Sequence, residues 1–282
     1  DPSGPADPEV PVLLVRPADG GDLIACMVLY SMHPTVLHED SKLVSADFPG
    51  MTRKYLKENV LPKDCAFLYH TGPEGNQSPR HVTKGNTFAE AERLGEMLGK
   101  AIEKVLPEAG FSKEISVASS RTFAELPRRS FPEVKDAEAH LKKSVERLEH
   151  LKKTSAPRQE TRTAECDWFG AEETVTLAKA ASSGKLDEYY ALCMPAEVQL
   201  IRVGKWNFIG WPGEVFIEYS LKLKEKCSDT FVINLANGEF QGYVVTREAA
   251  DEGGYEASNA LFSYESGNVL VEKSIELIQN CE

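Results

Sequence analysis

Four separated stretches of the chain carry side chains able to do chemistry, and each stands where an apolar run gives way to turn residues. His33 ends the run Leu23 to Ser31 and precedes Pro34. The stretch Phe67 to Arg80 passes from an apolar pattern, Ala66 to Tyr69, into a loop with Gly72, Gly75 and Pro79. That loop holds His70, Glu74, Asn76 and Ser78. Glu214 follows Trp211-Pro212-Gly213, and Tyr243 and Tyr255 lie in a glycine-rich polar region after the strand pattern Thr230 to Leu235. In α/β folds functional groups gather at the carboxyl ends of strands. A histidine, a carboxylate and a tyrosine brought together there suit a divalent cation of the zinc type. Taken singly, each has an ordinary reading: a hydrogen-bonded core histidine, a glutamate set against a helix dipole, a polar turn.

The elements that must position these residues are legible in outline. Val10 to Arg16 reads as a strand, and Ala18-Asp-Gly-Gly-Asp22 as a turn. Leu23 to Ser31 is continuously apolar, as a central strand should be. Met51 to Asn59 reads as a helix, with Asp47 before it as a cap or turn residue. Phe88 to Leu106 carries Phe88, Ala91, Leu94, Leu98, Ile102 and Val105 at helical spacing, a core-facing stripe. Phe131 to Thr154 has a narrow stripe (Val134, Ala137, Leu141, Val145, Leu148, Leu151) on a very charged helix. It is expected to pack along one edge over about 133–154, or to form a helical hairpin with Ala171 to Ala181 within an insertion spanning 131–183. Ser155 to Thr163 would connect the two arms, and nothing between Glu114 and Tyr190 reads as catalytic. Glu197 to Trp211 reads as a hairpin around Gly204-Lys205, Glu214 as part of the first turn of a following helix, and Val269 to Ile278 as a C-terminal amphipathic helix. The fold class is therefore α/β, a mixed sheet core flanked by helices.

Bulk properties narrow the function. The 282 residues are 41% hydrophobic and 27% charged, ordinary for a globular protein. The net charge of -12 argues against nucleic acid or an anionic membrane surface as partner. No apolar run approaches the ~20 residues of a membrane span, and the N-terminus, Asp1 to Pro8, has no signal-peptide pattern. The absence of an initiator Met is read as an expectation that the chain is a processed piece. The six cysteines include no Cys-x-x-Cys pair, which argues against a zinc ribbon or thioredoxin-type motif. Cys26 is expected to be a buried small hydrophobe. Compartment stays open, with a cytoplasmic location favoured over secretion.

Four segments in a fixed order match a known pattern: Met32-His33-Pro34-Thr35 with Ala46-Asp47-Phe48-Pro49-Gly50; Gly72 to Arg80; Trp211-Pro-Gly-Glu214; and Asn237-Gly238 with Gly242-Tyr243-Val-Val-Thr-Arg247-Glu248 and Gly253-Gly-Tyr-Glu256. In these the chain resembles the neutral ceramidase superfamily, zinc-dependent amidases that cleave an N-acyl bond. It is most similar to the small bacterial relatives without the C-terminal immunoglobulin-like domain. The resemblance runs from about Asp7 to the C-terminus and implies one catalytic domain over 1–282. It implies that His33, Glu214 and Tyr243 bind Zn2+ and that Tyr255 donates to the oxyanion of a tetrahedral intermediate. Ser78 matches a serine implicated in catalysis, as substrate-positioning group or nucleophile. Asn76, Arg80 and Arg247 fall on the substrate side, and His70 is a candidate proton carrier. Asn76 stands where the family usually has Asp, which points to a different substrate.

The family takes another zinc histidine, in a His-x-His segment, and an active-site arginine from sequence upstream of this chain. The expectation is a heterodimer, in which a second polypeptide, proteolytically processed from the same precursor or supplied separately, completes the site. The implied reaction is hydrolysis of an amide by metal-activated water. The rivals are a zinc hydrolase acting on a small non-lipid amide or lactone, and a non-catalytic binding or regulatory subunit.

Overall fold

The apolar run after the glycine turn becomes β2 (Ala25–Tyr30), and its neighbours make it central. β1 (Val12–Val15) pairs with it antiparallel, and β3 (Ala66–Thr71) pairs parallel on the other side. A parallel partner needs a crossover, which includes α1 (Asp47–Asn59). The computed structural model describes residues 4–38, 41–238 and 240–281; the first three residues of the N-terminal stretch read above lie outside them. Cys26 and Val28 alternate onto the face covered by α1 and α2 (Phe88–Val105), where they meet Phe48, Leu56, Leu94, Leu98 and Ile102. Thr87 caps α2, its side chain accepting from Glu90 N–H. Cys26 is fully buried, as expected, and all six cysteines are free thiols.

A second sheet has the order β4 (Val117–Ala124), β5 (Ala196–Val203), β6 (Trp206–Gly210) and β8 (Thr230–Ile233). Its first three strands are antiparallel, and β6 pairs parallel with β8 across α6 (Ile217–Lys226). Trp211 is fully buried behind it, among Leu200, Ile209, Leu223 and Leu270. Its indole N–H donates to Ser274 Oγ on α9 (Ser266–Asn280) at 2.8 Å. Between β4 and β5 run α3 (Val134–Lys153), α4 (Arg158–Ser182) and α5 (Lys185–Cys193). The hairpin form of the charged helix is the one adopted: the stripe residues Val134, Ala137 and Leu141 pack on Val175 and Ala178 of α4. Its connection is only residues 154–157, because α4 starts directly after Pro157, so most of the Ser155 to Thr163 stretch is helix.

Two further corrections concern the site. β3 continues through His70 and Thr71 because its ladder with Leu29 and Tyr30 continues, so His70 is a strand residue. Glu214 is not in a helix. It belongs to β7 (Glu214–Val215), which pairs parallel with β9 (Tyr243–Val244) in a sheet of two strands. Glu214 N–H donates to Gly242 O at 3.3 Å and Phe216 N–H to Val244 O at 3.1 Å, so residues 214–216 stay extended and α6 starts at Ile217. Local helical preference yields to the ladder.

Backbone hydrogen bonds sew the three sheets together at their carboxyl ends. Asn234 N–H donates to Thr71 O (3.0 Å), Gly75 N–H to Val215 O (3.1 Å) and His33 N–H to Gln77 O (2.8 Å). The polar stretch after β9 folds as two short helices, α7 (Arg247–Glu252) and α8 (Tyr255–Ser258). Arg129 holds the second of these. Its Nη1 donates to the carbonyls of Ala257 (2.5 Å), Ser258 (3.1 Å) and Ala260 (2.9 Å). Removing a half-buried cation that serves three carbonyls should be costly, so Arg129→Met is expected to lower stability by about 2–4 kcal/mol in urea unfolding.

Candidate active site

His33, Glu74 and Glu214 converge where the sheets meet. The His33 Nε2 and Glu214 Oε2 atoms are 2.6 Å apart. Each of the three residues offers a ligand atom, and these lie within 4.8 Å of one another. His33 comes from the end of β2, Glu74 from the loop after β3, and Glu214 from β7. Glu74 is 1% exposed. Among the described residues neither of its carboxylate oxygens has a hydrogen-bond partner of normal geometry, and His33 Nδ1 is likewise buried and unpartnered. Buried polar groups are nearly always satisfied, so three orphaned atoms in one place demand a reason. A divalent cation supplies one: imidazole and carboxylate are its usual donors.

The electrostatics fit the same reading. Burial pushes the Glu74 carboxyl from the ordinary 4.5 to about 8; the His33 charge pulls it back, Glu214 adds to the rise, and the Asn234 amide opposes it. Burial lowers the His33 imidazole, but the Glu214 hydrogen bond and charge, with the Glu74 charge, outweigh it and leave the pKa raised.

Tyr243 stands beside Glu214 because the β7–β9 register pairs the two residues. Its ring centroid is 6.2 Å from that of His33 and 5.9 Å from that of Tyr255. Burial, then the Glu214 charge, pushes the Tyr243 phenol well above its ordinary range, and burial likewise raises Tyr255. Both are neutral hydroxyl donors in the protein without metal. Two glycines allow the close backbone approach. A Cβ at Gly75 would lie 2.6 Å from Glu214 O, and one at Gly242, where φ is +91°, would lie 2.2 Å from Asn259 O.

A cavity of about 290 Å³ opens beside this group, lined by His33, Ser78, Arg80, Tyr243, Tyr255 and Glu256 among others. Five of the nine sequence-nominated residues thus share it, and Glu214 joins them through His33. The other three lie elsewhere. His70 projects from β3 into a separate cavity with Tyr69, Gln199 and Asn234. Arg247 is exposed at the start of α7, 3.8 Å from Asp251, because Thr246 caps that helix and turns it outward. Asn76 acts as a cap for α6: its Oδ1 accepts from Ile217 N–H at 3.0 Å and its Nδ2 donates to Glu218 at 2.8 Å. An aspartate there would face the Glu218 carboxylate, so Asn at this position needs no substrate to explain it. Asp47 is the first residue of α1 and not its side-chain cap; its carboxylate accepts from the neighbouring Phe48 N–H and from Leu37 N–H in the turn after His33.

Sequence reasoning missed Glu74 as a site residue and the whole α4 wall. Arg162, Cys166 and Phe169, from the stretch in which nothing reads as catalytic, line the cavity. They are three or four residues apart, so they share a helix face, but that signal points only to a face. Ser78 caps a short 3-10 turn, its Oγ accepting from Arg80 N–H at 3.2 Å. No base is hydrogen-bonded to it among the described residues.

The fold is that of neutral ceramidase. The crystal structure of neutral ceramidase from Pseudomonas aeruginosa superposes with a TM-score of 0.61 at 16% identity, covering 97% of this chain and 47% of that one. A ceramidase complexed with C2 gives 0.58 at 13% identity, with 97% and 48% covered. The chain therefore spans about half the length of the solved structures it matches. No protein-family model matches the chain, and no curated protein sequence does. Among the described residues no helix is long and apolar enough to cross a membrane.

The buried cluster ties stability to pH. With the folded Glu74 pKa near 8 and His33 also raised, the folded state holds protons that the unfolded chain has released. That stabilisation is complete below the unfolded carboxyl pKa and is lost as pH rises through the folded value. Thermal unfolding of chelator-treated protein should therefore show Tm falling between about pH 5 and pH 8. Glu74→Gln should flatten the fall. Added Zn2+ should stabilise more at the upper end, where it no longer competes with protons.

Proposed function

We propose that this chain is the metal-binding part of a Zn2+-dependent amidohydrolase acting on a compact amide. The observation that carries the reading is the convergence of the half-buried His33 and Glu214 on the buried Glu74, whose two carboxylate oxygens have no hydrogen-bond partner of normal geometry among the described residues. The ceramidase fold and the motif order support amide hydrolysis as the reaction. His33, Glu214 and Tyr243 hold the ion, and Glu74 joins them. Bound there, Zn2+ would lower the pKa of a water from ~15.7 towards ~7 and polarise the substrate carbonyl.

The remaining work falls to the chain's own groups. Tyr255, kept neutral by burial, donates to the oxygen on which charge develops, an interaction of the kind worth ~3 kcal/mol. Ser78 orients the substrate; its lack of a hydrogen-bonded base favours water over the serine as nucleophile. Arg162, Cys166 and Phe169 of α4 form one wall of the cavity. A cavity of about 290 Å³ is at the low end of ligand-site volumes, which supports a small non-lipid amide over a long-chain lipid. The resemblance implies a further histidine and an arginine at such a site, which a partner polypeptide would add.

Metal analysis and amide hydrolysis test this together. Purified protein should carry zinc, and Glu214→Ala should lose both zinc and activity. Tyr243→Phe should bind zinc roughly 10–100-fold more weakly. A protein that takes up no zinc, with or without its partner, overturns the proposal. Native mass spectrometry checks the partner: full zinc and activity in a single-polypeptide species would remove it.

A further inference from the structure

Among the described residues, the cavity beside the metal-ligand cluster contains a cation with no ion-pair partner. Arg80 lines it, half-buried, on the 3-10 turn Pro79–His81, where Ser78 fixes its backbone. No described carboxylate makes an ion pair with its guanidinium, although Glu256 lines the same cavity. The other arginine of the cavity is already matched: Arg162 Nη1 lies 2.8 Å from Glu165, and its guanidinium sits 6.0 Å from the Phe169 ring centroid. Arg80 also faces the α4 wall. Burial raises the Cys166 thiol, and Arg80 is the foremost charge drawing it back.

An unmatched arginine is unexpected here on physical grounds. The protein carries 44 Asp and Glu against 32 Lys and Arg, so carboxylates are in surplus. Partly desolvating a guanidinium is unfavourable unless an anion meets it. Its planar fork of donors matches carboxylates and phosphates. Arg80 and His33 line the same cavity, so one ligand placed there can meet both.

Building on the amidohydrolase reading, we infer that the substrate carries an anionic group close to its scissile amide, as in an N-acyl amino acid, and that Arg80 binds that group. The shared chemistry is an oxyanion, from a carboxylate or a phosphate ester. A ceramide-like amide, which is neutral, does not satisfy it.

The test compares N-octanoylglycine, its methyl ester and N-octanoyl phosphoethanolamine on zinc-loaded protein together with any partner it carries. The ester lacks the charge, and the phosphate arm separates the two anions. The expected result is hydrolysis of one of the anionic amides with kcat/KM above that of the ester. In Arg80→Gln that preference should fall by roughly 30- to 100-fold, mainly through KM, and Arg80→Lys should restore part of it. Equal rates on acid and ester, or a preference that survives Arg80→Gln, overturns the inference. Calorimetric binding of the same compounds provides a readout independent of turnover. Anion-selective binding lost in Arg80→Gln upholds the inference even if no amide is cleaved, an outcome that would remove the amidohydrolase reading instead. Binding that persists in Arg80→Gln and vanishes with chelator is carboxylate on the metal, and also overturns it.

Discussion

Two carboxylates and an imidazole are crowded within 4.8 Å in a partly buried site where, among the described residues, three of their polar atoms have no hydrogen-bond partner of normal geometry. Without a cation this is an unfavourable arrangement. Taking an ionised group out of water costs several kcal/mol after relaxation, and an unmade buried hydrogen bond adds ~1–3 kcal/mol. The protein without metal relieves part of the strain by keeping protons on the cluster, which is why burial moves Glu74 so far. The rest must be borne by the surrounding fold.

The fold bears it with backbone geometry. Glu214 and Tyr243 are adjacent because a two-strand parallel ladder pairs them, and His33 and the Glu74 loop are tied in by main-chain bonds to Gln77 and Val215. Such contacts leave little freedom for the carboxylates to swing away from one another. Asn76 extends the scheme by capping α6 from a distant loop, since Phe216 at the helix start has no side-chain oxygen to do so. Arg129 performs the corresponding task for α8 and Tyr255. Rigid support of this kind is what a metal centre needs if its donors are to hold their places.

The loop from Gly72 to Arg80 divides its labour accordingly. Glu74 points into the buried cluster, Asn76 serves the scaffold, and Ser78 and Arg80 face the cavity. One short segment therefore couples folding, metal binding and substrate contact. Its glycines are part of that design, since a side chain at Gly75 would collide with the Glu214 backbone.

The sequence by itself determined the fold class, the central strand β2, the stripe of α2, the charged helix with its narrow apolar stripe and the order of motifs that point to the ceramidase fold. These are local or periodic features, and burial of an apolar face follows from spacing alone. His33 and Glu214 stood out because each follows an apolar run, and their grouping with Tyr243 came from the resemblance in motif order. Only the tertiary structure decided that Glu74 is buried, that His70 faces another cavity, that Asn76 is a cap, and that α4 walls the site. A glutamate in a glycine loop reads as solvated, and a charged helix face reads as surface, until a distant strand or helix covers it. Whether Glu214 begins a helix or pairs in a ladder depended on Tyr243, whose position 29 residues further along the chain no local propensity encodes.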